Sequence, residues 1–321
     1  MGAFGGFGDE LLHHDIQHCA GRESEQIRHP GGHHGGKEQH QRSADGLHGA
    51  AQRTHREGLA AAAILTDEAA DGAIVGAPPT ISASTFTAPD PGTPEQLLAA
   101  TESSPISHFA VLGVATKPSQ VESINNFVIE QCRAHPTFLG FASMHQDYAN
   151  PEAELARIKA AGLSGIKIHP DIQGVNLNDP RLMEVYAACE RLDIPVTLHT
   201  GDYRHDFSHP RRLVEVLHTF PRLRVNGAHF GGWSIYDLAV EYLEHERCFM
   251  DASSSFAFLG RRRVRELIEL YGPERIMFGS DFPMANPVVE YDRMMSLGFS
   301  AKECEQLLWH TAEEFLGREV R

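Results

Sequence analysis

Short apolar runs alternate with longer amphipathic stretches from about residue 93 to the end of the chain. Runs of about four to eight apolar and β-branched residues have the length of buried strands. They predict seven strands, at 107–114, 137–144, 163–169, 194–199, 222–228, 247–251 and 275–280. Helical spacing of the apolar residues predicts helices near 118–135, 151–161, 180–192, 209–219, 234–245, 262–271, 286–297 and 300–316.

The alternation of strands and helices predicts an α/β fold with a parallel sheet, and we interpret it as a TIM-like (β/α) barrel. The run 109–114 is apolar throughout, which is typical of a sheet that is covered on both faces. An eight-stranded barrel needs one more strand before Ser107, and no run in residues 1–92 is a good candidate. We therefore expect a barrel that lacks a recognisable first strand and has an open seam.

The first 92 residues have a different character from the rest. Residues 1–58 contain seven Val, Ile, Leu or Phe residues, twelve glycines and nine histidines, which is too few apolar residues for a packed core. An Ala-rich run at 59–71 is capable of forming a helix, and 72–92 has the composition of a linker. We divide the chain into an irregular Gly/His-rich segment, 1–92, and a barrel domain, 93–321.

Composition and charge exclude several classes of function. The net charge is −15, which disfavours a nucleic-acid partner and an anionic membrane surface. No apolar run approaches the roughly 20 residues that cross a bilayer. The N-terminal residues lack the pattern of a secretory signal, and the five cysteines are widely spaced. We expect reduced thiols and a cytoplasmic location.

Side chains that bind metals or carry protons follow several of the predicted strands. His199 ends one strand, His229 follows another before Gly231, and Asp281 follows a third. Barrel active sites lie at the carboxyl ends of the strands. We therefore predict His199 and Asp281 as metal ligands, and His229 and Asp281 as catalytic groups that move protons. The alternatives are a histidine buried in the core and an aspartate that caps a helix.

A second set of residues near the same strand ends is suited to substrate binding. We predict this role for Lys167, His169, Tyr203, Arg204 and Trp233. A cation and aromatic side chains beside a metal would recognise an anionic or aromatic substrate. The alternatives are that His169 only fixes a turn, that the loop after His199 is merely solvated, and that Trp233 only packs on the barrel rim.

Four motifs in order carry a family resemblance. They are Gly165-Ile166-Lys167-Ile168-His169-Pro170, Thr197-Leu198-His199-Thr200-Gly201, Gly227-Ala228-His229-Phe230-Gly231-Gly232-Trp233 and Phe278-Gly279-Ser280-Asp281-Phe282-Pro283. From about residue 92 to 317 the chain resembles the amidohydrolase-related family, including its aminocarboxymuconate-semialdehyde decarboxylase-like branch. The resemblance implies a distorted TIM barrel with one divalent metal. It also implies His199 as a metal ligand, His229 as the catalytic histidine, and Asp281 as a base that touches metal or water.

The sequence departs from the family at its amino-terminal end. The family has a His-x-His pair on strand one that supplies two further ligands, and residues 1–92 contain no such pair. Adjacent histidines cannot replace it, because neighbouring strand residues point to opposite faces. Three explanations remain open: an out-of-frame or mis-started segment before residue 92, a pseudoenzyme without metal, and a new ligand set from the N-terminal histidines.

These observations favour a metal-dependent hydrolase that acts on a small carboxylated or cyclic organic substrate. The first alternative is non-oxidative decarboxylation of an unsaturated or aromatic acid by the same residues. The second is a non-catalytic binding protein or inactive pseudoenzyme, because the His-x-His pair is missing. The expected cofactor is one divalent metal, zinc before manganese, unless this chain has lost it. The expected partners are a small-molecule substrate and, in a homodimer, a second copy of the chain.

Overall fold

The computed structural model describes residues 92–320 and the backbone of residues 58–64. Its sheet contains nine strand segments that all pair in parallel. They are β1 (Gly58–Ile64), β2 (Ile106–Leu112), β3 (Phe138–Ser143), β4 (Gly165–Ile168), β5 (Val196–Leu198), β6 (Val225–Gly227), β7 (Phe249–Asp251), β8 (Ile276–Met277) and β9 (Gly279–Phe282).

Strands β2 to β8 lie side by side in chain order, and the predicted α/β barrel is confirmed. The segments β8 and β9 are separated only by Phe278. β8 pairs with β7, whereas β9 pairs with β1 on the other side of the sheet. This exchange of partners curls the sheet into a barrel, and it brings the carboxyl ends of the strands together.

The expectation that the barrel lacks its first strand is corrected by the position of β1. Its backbone pairs with β2 on one side and β9 on the other, at the predicted open seam. The sequence of β1 is Gly-Leu-Ala-Ala-Ala-Ala-Ile, so the first six residues of the run 59–71, which is capable of forming a helix, are in a strand. Alanine favours helices, but pairing with a strand on each side outweighs that local preference. The strand carries no histidine.

The described helices follow the predicted alternation. They are α1 (Pro94–Thr101), α2 (Val121–Ala134), α3 (Pro151–Ala160), α4 (Pro170–Gln173), α5 (Pro180–Leu192), α6 (Pro210–Thr219), α7 (Tyr236–Leu243), α8 (Phe256–Tyr271), α9 (Pro287–Met295), α10 (Ala301–Glu305) and α11 (Thr311–Leu316). The sequence did not predict α4, which lies directly after β4. None of the helices in the described part of the chain is long and apolar enough to cross a membrane.

Candidate active site at the carboxyl ends of the strands

Five of the residues that the sequence selected lie at or just after the carboxyl ends of strands. Lys167 lies near the end of β4 and His169 follows that strand, His199 follows β5, His229 lies just after β6, and Asp281 is in β9. The register explains why the histidines meet. Ile168 pairs with Leu198, and Leu198 pairs with Gly227. His169 and His199 directly follow the first two residues and His229 lies two residues after the third, so the three side chains enter the same space.

Three side chains form a group that could hold a metal ion. Ligand atoms of His169, Asp171 and His199 all lie within 4.8 Å of one another. The two imidazole rings stack with centroids 3.9 Å apart, and His199 Nε2 is 3.7 Å from Asp171 Oδ2. Asp171 Oδ1 is buried without a hydrogen-bond partner. A buried carboxylate oxygen without a partner is costly, and a cation beside two imidazoles would satisfy it.

The motif His169-Pro170-Asp171 builds this group through a short helix. His169 is the N-cap of α4, and its Nδ1 accepts a hydrogen bond from the backbone N–H of Ile172 at 3.5 Å. Pro170 has no N–H to satisfy, so it fits the first position of the helix. Asp171 therefore follows within the first turn, and its side chain reaches the group.

Gln173 fixes the backbone below the group. Its Oε1 accepts from the backbone N–H of His169 at 3.0 Å, and its Nε2 donates to the carbonyls of Ala115 at 2.9 Å and Met144 at 2.7 Å. These carbonyls follow β2 and β3. One buried amide thus joins the ends of three neighbouring strands, which holds His169 in place.

Burial sets the protonation of the two stacked histidines. It lowers the pKa of both His169 and His199 well below its ordinary value, and nearby Lys167 and His229 lower it further. Both rings are therefore neutral at pH 7, which is the form that binds a metal. Burial also raises the pKa of Asp171 to about 6, although the Ser208 hydroxyl donates to it.

His229 is held from both ends of its ring. Its Nε2 is 3.2 Å from His199 Nδ1, and its Nδ1 is 3.0 Å from the carbonyl oxygen of Ser253 and 2.9 Å from Ser253 Oγ. The backbone at His229 has a φ of 59°, in the left-handed region that costs energy for a residue with a side chain. The buried Asp251 supports this conformation, because its Oδ1 accepts from the His229 N–H at 3.2 Å.

Lys167 and Asp281 place an amine and a carboxyl group in strands β4 and β9, towards their carboxyl ends. Lys167 is only 4% exposed, and burial lowers the pKa of its ammonium group while Asp251 and Asp281 oppose that effect. Asp281 Oδ2 accepts from Ser254 Oγ at 2.6 Å, and its backbone φ is 64°. Asp281 is outside the metal-binding group of three found among the described residues. Its predicted role as a ligand therefore stays a prediction, as does its role as a base.

Arg204, Tyr203 and Trp233 lie on the rim near His199. The Arg204 guanidinium is 5.5 Å from the ring centre of Trp233 and 5.9 Å from that of Tyr203. The Trp233 ring is 6.4 Å from that of His199, whereas Tyr203 is 73% exposed. The Arg204 guanidinium also donates three hydrogen bonds to the buried Asp202, of 2.9, 3.2 and 2.7 Å. Asp202 thus neutralises much of the Arg204 charge.

A glycine holds two of the site loops together. A Cβ on Gly201, which follows His199 by two residues, would lie 2.5 Å from the backbone of Gly232 and Trp233. Gly201 has a φ of 85°, which also disfavours any other residue. The loop that follows His199 can therefore pack directly on the loop that follows His229.

Sequence reasoning missed Asp171, Asp251 and Ser253. It also gave His169 to the substrate, whereas the structure groups this ring with His199 and Asp171. Asp251 could have been found, because it ends a predicted strand in the same way as the residues that were selected. Asp171 had a weaker signature, since only the two-residue spacing from His169 marks it.

Residues 78–318 match the protein-family model described as Amidohydrolase. The match covers three quarters of the chain. This protein belongs to the amidohydrolase family. The resemblance drawn from the four sequence motifs is thereby confirmed. Strand β1 contains no histidine, so this amidohydrolase does not carry the expected His-x-His pair on that strand.

The amidohydrolase is similar to decarboxylases and to a protein named as a hydrolase. A curated relative is 2-amino-3-carboxymuconate-6-semialdehyde decarboxylase from Dictyostelium discoideum, 23% identical over 236 residues. The match covers 60% of this chain and spans 65% of that relative's length.

Two solved structures share the barrel fold. One is a dihydroxybenzoic acid decarboxylase from Polaromonas sp. JS666 with bound manganese and the inhibitor 2-nitroresorcinol. Its sequence is 17% identical and the TM-score is 0.58, and the match covers 70% of this chain and 86% of that one. The other, from Pseudomonas putida, has the provisional name 2-pyrone-4,6-dicarboxylic acid hydrolase; it is 17% identical with a TM-score of 0.60, over 84% of this chain and 100% of that one.

Proposed function

We propose that this amidohydrolase is a metal-dependent decarboxylase of a small unsaturated or aromatic carboxylic acid. The observation that carries the proposal is the group formed by His169, Asp171 and His199, with a buried lysine and a further histidine at neighbouring strand ends. The named decarboxylases among its relatives support this choice over the hydrolysis that the sequence favoured.

His169, Asp171 and His199 are the residues that would hold the metal. Two neutral imidazoles and a carboxylate suit zinc and manganese alike. When it is bound, a divalent ion supplies a Lewis acid that polarises substrate oxygen atoms. The unpaired Asp171 Oδ1 is the feature of this chain that fits such an ion. The manganese in the Polaromonas structure supports the same choice.

Lys167 is the residue that we assign to the substrate carboxylate. A buried ammonium group attracts an anion strongly, because little water screens it. Trp233 and Tyr203 provide aromatic faces against which a flat substrate would stack, with Arg204 between them. The site therefore favours a substrate that is planar and carries at least one carboxylate.

His229 and Asp281 are the groups that we assign to proton transfer. In decarboxylation the bond between the substrate carbon and the carboxylate breaks, and its electron pair stays on that carbon. A proton must then reach the carbon, so that one carboxylate and one proton give carbon dioxide and a ring or alkene with hydrogen in place of the carboxylate. We assign that transfer to His229, which Ser253 and Asp251 hold in place: its Nε2 lone pair would take up a proton and pass it to the carbon.

Hydrolysis of an ester, lactone or amide is the second candidate. The half-buried carboxylate of Asp281, which Ser254 fixes, is suited to take a proton from an attacking water molecule. The similarity to the Pseudomonas putida protein supports this alternative. The substrate would again be small and carboxylated, so Lys167 would have the same role.

Product analysis distinguishes the two reactions. The full chain with manganese or zinc is given a panel of hydroxybenzoic and unsaturated dicarboxylic acids, and carbon dioxide release is measured. A parallel panel of lactones and esters is followed by acid release. We expect carbon dioxide from at least one acid, and its loss in His229→Asn. Acid release alone would replace decarboxylation by hydrolysis, and binding of both panels without turnover would indicate a non-catalytic protein.

A further inference from the structure

A chain of hydrogen bonds runs from a buried carboxylate to the metal-binding group. It begins at Asp251, which ends β7, and passes through Ser253 and His229 to His199. Its members come from the ends of three adjacent strands, β5, β6 and β7. Asp251, Ser253 and His229 are all less than 5% exposed, so water does not compete for these bonds.

Asp251 is an acceptor at every contact. Its Oδ1 accepts from the backbone N–H groups of His229 and Ser253 and from Ser253 Oγ, and its Oδ2 accepts from Asn226 Nδ2 at 2.8 Å. Burial alone would raise the pKa of Asp251, but His229 and these donors lower it below its ordinary value. An ionised carboxylate has no proton to give, so the Ser253 hydroxyl proton points towards Asp251.

The position of the proton on His229 follows from its neighbours. The carbonyl oxygen of Ser253 can only accept, and it lies 3.0 Å from His229 Nδ1. The Ser253 hydroxyl, whose proton is directed at Asp251, can also accept there. Nδ1 of His229 therefore carries the hydrogen, and Nε2 of the neutral ring has a lone pair.

The same reasoning extends to His199. Its Nδ1 lies 3.2 Å from His229 Nε2, which carries the lone pair, so Nδ1 of His199 must be the donor. The neutral His199 ring then has its lone pair on Nε2, the atom that faces Asp171. A free histidine side chain prefers the hydrogen on Nε2, so the protein must enforce the opposite choice in both rings.

We propose that Asp251 and Ser253 are positioning residues that keep the hydrogen on Nδ1 of His229 and His199, so that His199 presents an unprotonated Nε2 to a divalent cation. Residues that orient a metal-binding histidine commonly affect metal affinity by about 10- to 100-fold. The part of this inference that concerns the cation rests on the proposed function. The part that concerns the two hydrogens does not, because their positions can be measured in the metal-free protein.

The first test is nitrogen-15 NMR of the imidazole rings in the metal-free full chain at neutral pH. Long-range couplings between ring nitrogens and carbon-bound hydrogens distinguish the two neutral forms. The signals of His199 and His229 are assigned from their loss in His199→Gln and His229→Gln. We expect both rings to carry the hydrogen on Nδ1. A hydrogen on Nε2 of either ring would overturn the proposal, whether or not the protein binds metal.

The second test compares two buried carboxylates. Asp251→Asn keeps the shape but removes the charge. The hydrogen bond that holds the Ser253 hydroxyl is therefore weaker, and the hydroxyl can instead donate to His229 Nδ1. Glu154→Gln is the matched control, because Glu154 is 4% exposed and also accepts from an asparagine amide, at 2.7 Å. We expect only Asp251→Asn to increase the Nε2–H form of His229 and to weaken Mn²⁺ binding about tenfold in calorimetry.

The outcomes separate this inference from the proposed function. Unchanged ring signals in Asp251→Asn would show that the carboxylate is merely structural, and would overturn the proposal. Absence of Mn²⁺ binding in the unmodified chain would instead contradict the proposed function, while the ring signals would still decide the role of Asp251.

Discussion

The rings of His169 and His199 stack with centroids 3.9 Å apart and planes 10° from parallel. They meet because Ile168 and Leu198, the residues before them, are partners in the register of two parallel strands. Asp171 completes the group from the short helix that His169 caps. We propose that His169 and Asp171, after strand β4, take the place of the metal-binding pair that the family resemblance implies on strand one.

Replacing Gln173 should destabilise the protein and loosen the group. Gln173→Ala leaves two buried carbonyls and the His169 N–H without their partner, so we expect a loss of about 2–4 kcal/mol in the free energy of unfolding. Gln146→Ala is the control, because it removes a single hydrogen bond, to the Gln173 carbonyl. Urea denaturation of both variants measures the difference. Equal stability would show that the Gln173 amide does not hold the strand ends.

Replacing Lys167 should impair activity on a carboxylate substrate. Lys167→Met keeps an unbranched side chain but removes the buried charge and its attraction to Asp251 and Asp281, so the free energy of unfolding is measured beside the activity. We expect kcat/KM on a carboxylate substrate to fall about tenfold or more, since a charge-assisted hydrogen bond contributes roughly 1.5–3 kcal/mol. Lys159→Met, on the exposed surface, is the control and should change neither kcat/KM nor the free energy of unfolding. Full activity in Lys167→Met would remove Lys167 from substrate binding.

Two glycines that both have a positive φ should respond differently to alanine. Gly174 has a φ of 64° and open space where a Cβ would lie, so Gly174→Ala should cost only about 1–2 kcal/mol. Gly201→Ala adds a clash with Gly232, and the total should reach roughly 2–5 kcal/mol. Thermal unfolding of the two variants makes the comparison. An equal decrease in melting temperature would mean that the two site loops separate easily.

Much of the fold could be predicted because apolar runs and strand ends mark the barrel directly. His199 and His229 end or follow such runs, and the structure brings them to 3.2 Å from each other. The first strand could not be predicted, because its four alanines favour a helix until β2 and β9 supply pairing partners. The division of the chain into two segments at residue 92 stays a prediction. Residues 1–57 and 65–91 lie outside the described part of the chain.

The site was harder to predict than the fold. Its residues are far apart in the sequence, and only the register of the paired strands brings them together. The sequence singled out His169 but assigned it to the substrate, because nothing local shows that its ring will stack on that of His199. Asp171 belongs to a helix of four residues that is too short to show a periodic pattern. Ser253 contributes a carbonyl and a hydroxyl, and only the folded chain reveals where they point.

The proposed function depends most on metal binding by His169, Asp171 and His199. The nine histidines among residues 1–58 could add loosely bound metal, so the difference between variants matters more than the total content. Suitable variants are His199→Ala and Asp171→Asn, with His218→Ala as the control because His218 is exposed and contacts Glu246.

The decisive measurement is elemental analysis of these chains after dialysis against metal-free buffer. We predict that the unmodified chain and His218→Ala retain about one zinc or manganese ion more than His199→Ala and Asp171→Asn. Equal metal content in all four chains, or none in the unmodified one, would contradict a metal site at these residues.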